Sequence, residues 1–247
     1  MQKFSWDTND LMTDINEVTS PWMDRERNIG IGLPLIDTRI CSQFFLSFLE
    51  MEKPATYHLF VPVFPHGEFI QDIAKARNNI VEQAYRHSCS DLIFMDTDQV
   101  YPKDTITKLL SHPKDIVGAV VHRRYPPFEP ILMRGGIGQY FHIPDTECYS
   151  GDLVEVDATG CGCLKINMDV FQNFQREPFK ISESAGKVVG EDIYFCAEAL
   201  KHGYKIFVDT SIQVGHLSNY LINRSTYELF KHIKQFQYRQ PVNKETH

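Results

Sequence analysis

Cysteine is scarce and scattered. The six thiols, Cys41, Cys89, Cys148, Cys161, Cys163 and Cys196, are too sparse in 247 residues for a disulfide scaffold and lack the paired spacing of a structural zinc site. Positive charge is also short. The 25 Lys and Arg face 32 Asp and Glu, a formal net charge of -7, which argues against a chain that coats nucleic acid or anionic lipid through its overall field. No apolar run approaches the ~20 residues of a membrane span. The first residues carry Lys3, Asp7, Asp10 and Asp14 where a secretory leader would have an apolar core. These absences predict a reduced, soluble, cytoplasmic protein. A 43% hydrophobic share in a chain of this length is enough for a sizeable core, with no composition break inside residues 27–216.

What is present is an alternation of apolar strands and amphipathic helices. Residues 1–26 are polar and acidic with isolated Trp6 and Trp22, and read as an extension. Ile29-Gly30-Ile31-Gly32-Leu33-Pro34 then predicts a first strand and turn, and Cys41, Phe44, Phe45, Phe48 and Leu49 recur at helical spacing. A second unit follows: a strand over Tyr57–Phe64, a turn at Pro65-His66-Gly67, and a helix whose inner stripe holds Ile70, Ile73, Ala74, Val81 and Ala84, with Arg77 on the same stripe. The third is the strand Leu92–Met95, an Asp-Thr-Asp turn, Pro102 near a helix start, and Ile106, Leu109 and Leu110 facing inward. Ile116–Val121 is another buried strand and runs into the basic, proline-stiffened loop His122-Arg123-Arg124-Tyr125-Pro126-Pro127. This order implies an α/β fold with a mostly parallel sheet flanked by helices in a single domain. Farther on, Gly135–Gly138 is turn-like, Leu153–Ala158 alternates as a strand does, and Gly160-Cys161-Gly162-Cys163 permits close approach of backbone or ligand. The second half therefore mixes antiparallel strands into the sheet.

Three places carry chemistry. Asp96 and Asp98 end a buried strand, and ligands of open α/β sheets sit at that edge, so the two carboxylates suit a hard divalent cation holding a phosphate. Glu191 and Asp192 open a helix after a glycine-bearing loop, Ser182–Gly190, where a carboxylate can reach a bound hydroxyl as general base. The helix dipole alone would also explain acids there. His216 follows a predicted strand, and with two acids proposed it becomes a third metal ligand.

The ordered set Asp96-Thr97-Asp98, Gly190-Glu191-Asp192 and Gly215-His216 resembles glycosyltransferases of the GT-A fold, family-2-like and similar to the short bacteriophage-encoded versions. The resemblance spans about Asn28 to Tyr220 and is most specific in Asp91–Pro102, Asp115–Pro127 and Val189–Leu217. It implies a GT-A, Rossmann-like catalytic domain over 27–216 and a C-terminal lid or helical tail over 217–247. It also implies a nucleotide-sugar donor, a UDP-sugar, held with manganese or magnesium by Asp96, Asp98 and His216. Similarity further places Pro34 and Leu35 near the nucleobase and Arg77 near the nucleotide. Thr97 falls in the donor site, and Asp192 or Glu191 lies near the acceptor hydroxyl, with inversion the expected outcome. The basic loop adds Arg124, and the tail adds Arg224 as a phosphate-binding side chain. The acceptor stays open between a glycan and a hydroxymethylated DNA base. In a phage setting the location is the host cytoplasm.

The Gln-x-x-Arg-Trp element of processive synthases is missing. So is a glycine-rich loop with Arg and Lys over Asn28–Arg39, which a nucleotidyltransferase would use. Two other readings remain: a haloacid-dehalogenase-like phosphatase using Asp96 and Asp98, and a nucleotide-sugar-binding module without activity. Cys161-Gly162-Cys163 without a second pair reads as packing.

Overall fold

The computed structural model describes residues 27–36, 39–63, 72–174, 177–184, 186–218 and 221–239. The expected extension over 1–26, Ile70, and the turn at Pro65-His66-Gly67 lie outside these residues. The element order is β1 (Ile29–Gly32), α1 (Ser42–Glu50), β2 (His58–Phe60), α2 (Ile73–Arg86), β3 (Asp91–Met95), β4 (Gln99–Val100), α3 (Thr105–Ser111) and β5 (Ile116–Val120). It continues with β6 (Leu132–Arg134), β7 (Phe141–His142), α4 (Asp145–Cys148), β8 (Leu153–Val156), β9 (Ala158–Thr159), β10 (Cys163–Asn167) and α5 (Met168–Phe171). The last third holds β11 (Ser182–Ser184), β12 (Lys187–Val189), α6 (Glu191–Lys201), β13 (Ile206–Gln213), β14 (Gly215–Leu217), β15 (Leu221–Ile222) and α7 (Arg224–Arg239).

Seven strands form the main sheet in the order β2-β1-β3-β10-β5-β13-β8. β1 pairs in parallel with β2 and β3, and β13 in parallel with β5, whereas β10 runs antiparallel between β3 and β5 and β8 antiparallel to β13. This is the mixed α/β sheet in one domain that the sequence implied, with five of the seven strands running in the same direction. Every residue of β1, β3 and β5 is buried, as expected for strands covered on both faces. The alternation of side chains splits β3 between two cores. Leu92 and Phe94 join one with Ile80, Leu164, Phe179 and Phe195, while Ile93 and Met95 join the other with Phe44, Phe48, Ile106 and Leu109. Helices α2 and α6 thus cover one face, and α1 and α3 the other.

α2 forms where Asp72 caps it, its carboxylate accepting from the amides of Ala74 at 3.0 Å and Lys75 at 3.2 Å. Its buried stripe runs Ala74, Ala76, Arg77, Ile80, Val81 and Ala84. The helix lies close on β1, because a Cβ at Gly32 would come 2.6 Å from Ile80 Cγ2.

Several expectations are corrected in detail. In α1 only Phe44 and Phe48 are buried; Phe45 and Leu49 are more than half exposed, because a nine-residue helix lying on one sheet face hides a narrow stripe. The strand expected over 57–64 is confined to β2 at the sheet edge, and Phe64 lies outside the described residues. The Ser182–Gly190 segment is not an open loop but an antiparallel hairpin, with Ser182 facing Val189 and a left-handed Gly186 at its turn. The expected division at 216/217 falls inside β14, which pairs with β15 and β4 in a small three-stranded sheet. No helix among the described residues is long and apolar enough to cross a membrane.

Candidate active site

The carboxyl edge of the parallel strands opens into a cleft of about 890 Å³. Its floor is the turn leaving β3. The Asp96 amide donates to the Gly162 carbonyl at 2.9 Å, and the buried Tyr101 hydroxyl shares its proton between the carbonyls of Asp96 at 2.8 Å and Gly162 at 2.7 Å. Position 162 has no room for a side chain: a Cβ there would sit 2.1 Å from Gln99 Nε2 and 2.9 Å from Asp96 Oδ2. Gln99 is only 1% exposed, and its Oε1 has no hydrogen-bond partner in the structure. A buried acceptor left in this state is costly unless a ligand or water donates to it.

Arg77 braces one wall. Although its side chain is 2% exposed, three of its nitrogens meet protein acceptors: Nη2 the Asp96 carboxylate at 2.9 Å, Nη1 the Cys161 carbonyl at 3.3 Å and Nε Glu191 at 3.4 Å. Its guanidinium also lies 5.2 Å from the centre of the Phe94 ring. Burial disfavours the charge, yet the fields of Asp96, Glu191 and Asp192 outweigh it and raise the guanidinium pKa. Arg77 therefore stays a cation and ties α2, the β3 turn, the 160–162 segment and α6 together.

Glu191 and Asp192 stand in the first turn of α6, where the helix field favours carboxylates. Asp192 Oδ1 accepts from the Ile193 amide at 2.7 Å, and Oδ2 lies on the side of Gly160, both residues lining the cleft. Desolvation first, then the neighbouring Glu191 charge, pushes the Asp192 carboxyl up to about 6. A carboxyl raised to that range gains and loses its proton readily near neutral pH.

The opposite wall is built by the pairing of β14 with β4, which sets His216 opposite Gln99, while the Leu217 amide donates to the Asp98 carbonyl at 2.7 Å. His216 Nε2 and Asp98 Oδ2 are 3.5 Å apart. His216 Nδ1 lies 2.7 Å from the His122 carbonyl, so Nδ1 carries the proton and Nε2 turns a lone pair into the cleft. Burial lowers the His216 pKa and keeps the ring neutral. Arg124 closes the group, Nη2 pairing with Asp98 and Nε donating to His216 Nε2 at 3.3 Å.

The cleft thus brings together Pro34, Arg77, Asp96, Thr97, Asp98, Arg124, Glu191, Asp192 and His216. Two candidates are elsewhere. Leu35 packs against the core that contains Leu33 and Phe44, not in the cleft. Arg224 pairs with Glu228 at 2.8 Å and covers the Tyr149 ring at 4.2 Å, so its charge is spent on the tail's own docking. The three side chains expected to hold a metal are not gathered into one cluster. Among the described residues no three His, Cys, Asp or Glu side chains gather closely enough to hold an ion, because Asp96 turns to the buried Arg77 while Asp98 and His216 converge. An oxygen and a neutral imidazole at this spacing fit a divalent ion whose remaining positions come from phosphate and water. Sequence reasoning missed Gln99, Tyr101 and Arg39, which also lines the cleft. Gln99 and Tyr101 follow the acidic turn directly, but only the folded pairing of β4 shows that they face inward.

No protein-family model matches the chain, and no curated protein sequence does. Solved structures do. A197 from STIV superposes with a TM-score of 0.53 at 16% identity, over 77% of this chain and 86% of its own. That likeness shows a shared fold. TarS residues 1–349 from S. aureus match with a TM-score of 0.43 at 13% identity, over 73% of this chain and 57% of theirs. GalNAc-T7, solved with UDP, GalNAc and Mn²⁺, matches with a TM-score of 0.49 at 11% identity, over 84% of this chain and 48% of its own.

Proposed function

We propose that the protein is a metal-dependent glycosyltransferase that moves a sugar from a nucleotide-sugar donor, a UDP-sugar, to an acceptor hydroxyl. The observation that carries this reading is the convergence of Asp98 Oδ2 and the His216 Nε2 lone pair in a cleft that also holds the raised-pKa carboxylate of Asp192. Asp98 and His216 would hold manganese or magnesium, and such an ion neutralises the charge of a leaving diphosphate.

The chain's own groups do the rest. Asp192 accepts the proton of the attacking hydroxyl at Oδ2 as the bond to the anomeric carbon forms, with inversion. Arg77 holds Asp96 and Glu191 so that neither carboxylate turns into the space of the donor phosphates. Pro34 and Ile36 line the cleft and offer apolar contact to a nucleobase. The acceptor is a glycan or a hydroxymethylated DNA base, the net charge of -7 favouring the glycan.

Calorimetry with UDP tests the reading. Affinity should rise strongly when manganese is added and collapse in Asp98→Ala. Equal binding in a chelator, or binding that ignores the substitution, overturns the metal site.

A further inference from the structure

The guanidinium of Arg124 stands where the two metal-competent groups converge. Its Nη2 pairs with Asp98 Oδ2 and its Nε donates to His216 Nε2 at 3.3 Å, the two acceptors being 3.5 Å apart. We propose that Arg124 is the resident counter-cation of this pair, exchanging with the divalent ion and passing to the donor diphosphate, so that metal and nucleotide bind as one coupled event. The inference rests on the metal-dependent donor binding proposed above.

The exclusion follows from lone pairs. His216 Nδ1 is committed to the His122 carbonyl at 2.7 Å, so Nε2 has a single lone pair to give. An arginine N–H now uses it, and an ion would need the same electrons and the same Asp98 oxygen. Two cations side by side there would also repel. Ion entry therefore requires the guanidinium to leave.

Arg124 is built to leave, and Arg77 is not. The Arg124 side chain is 42% exposed, beside Tyr125 at 72%, on a loop pinned at its base by the Arg123 amide on the Glu129 carbonyl at 3.0 Å. Its side chain can swing without moving the core. Arg77, at 2% exposure with three protein acceptors, is fixed. Once displaced, Arg124 has lost Asp98 and His216, and a diphosphate in the same cleft offers a planar fork its natural partner. Metal alone must break an ion pair; metal with nucleotide replaces it. The coupling is reciprocal by linkage.

The test uses the full chain, manganese chloride and UDP, with binding followed by calorimetry. In Arg124→Gln, manganese alone should bind about tenfold more tightly than to the wild type, UDP in saturating manganese about tenfold more weakly, and the coupling between the two should shrink accordingly. Adding Asp98→Asn to that variant should remove the gained manganese binding, which locates the gain at this site. Thermal unfolding of each variant confirms that the fold persists. Manganese affinity in Arg124→Gln equal to or below the wild type overturns the exchange. If the wild type shows Asp98-dependent manganese and UDP binding while that result is obtained, the exchange alone fails. If no Asp98-dependent metal binding occurs even with UDP, the functional reading fails and takes the exchange with it.

Discussion

A carboxylate held half-buried at a helix start costs stability in return for reactivity, and Asp192 shows both sides. Its folded pKa is raised from the ordinary 3.8 to about 6, so the folded state binds this proton more tightly than the unfolded chain. Stability from this group is complete below its unfolded pKa and is lost as pH rises through the folded one. Asp192→Asn cannot suffer that loss. Its melting temperature should match the wild type in acid and exceed it above pH 6, the gap opening between those limits in thermal unfolding across pH. Transfer by the same variant should fall by about 10²–10⁴-fold with donor affinity little changed, the reach of general-base catalysis. Wild-type transfer should rise with pH as the carboxylate ionises near 6. Loss of donor binding in the variant would instead place Asp192 in the nucleotide site. Gly162 gives a second residue-scale test. Gly162→Ala drives a methyl into Gln99 and Asp96, with a cost of about 1–3 kcal/mol for overpacking. Trimming the neighbour in Gly162→Ala/Gln99→Ser should return much of the stability in denaturant titrations. No recovery would mean that the backbone itself cannot accept the methyl.

At the scale of elements, strands covered on both faces were the most legible part of the chain. Leu92–Met95 and Ile116–Val120 are continuous apolar runs that read as buried strands, and the charges that end the first of them lie in the cleft at the sheet's edge. Arg77 on an otherwise apolar helical stripe signalled a buried role, but not that its nitrogens would be consumed by Asp96, Cys161 and Glu191. That outcome depends on contacts more than 80 residues apart in sequence, such as Arg77 with Cys161, and local periodicity does not encode them. The same limit explains Arg224 and the tail. Read along the chain, an arginine soon after His216 is expected near a donor phosphate; in the fold, Arg224 pairs with Glu228 and covers Tyr149, and α7 packs behind His122, the Tyr227 ring 6.0 Å from its imidazole. Tyr227 donates to Asp145 at 3.2 Å, Lys231 pairs with Asp145, and the Phe230 ring meets Phe128 edge-on at 5.4 Å. Phe230→Ala should loosen this docking by about 1–2 kcal/mol, in the ordinary range for a partly buried contact. Amide exchange over Arg224–Lys231 should quicken, while UDP affinity with manganese stays within about twofold. A collapse of affinity would make the tail part of the donor site after all.

At the scale of the molecule, the cleft is not the property of any one unit. Asp96, Asp98 and Gln99 come from the end of β3 and the start of β4, Arg124 from the loop after β5, Gly160 and Gly162 from between β9 and β10, Asp192 from α6 and His216 from β14. These segments span both halves of the sheet and both sides of the reversed strand β10, whose pairing with β3 and β5 joins the two halves. A ligand that bridges them can bind only when the whole sheet is assembled. Binding then stabilises the entire domain by linkage, by about 2.7 kcal/mol at a hundred times Kd. For a chain of this size that corresponds to a rise of roughly 5–10 °C in melting temperature, taking ~2–4 °C per kcal/mol. Calorimetric scans should show one transition moving upward as a unit when UDP and manganese are added together, with little shift from either alone and none in Asp98→Ala. A transition that splits, leaving part of the domain melting at its original temperature, would show that the donor rests on one half of the sheet, and that the pairing of β14 with β4 does not complete the site.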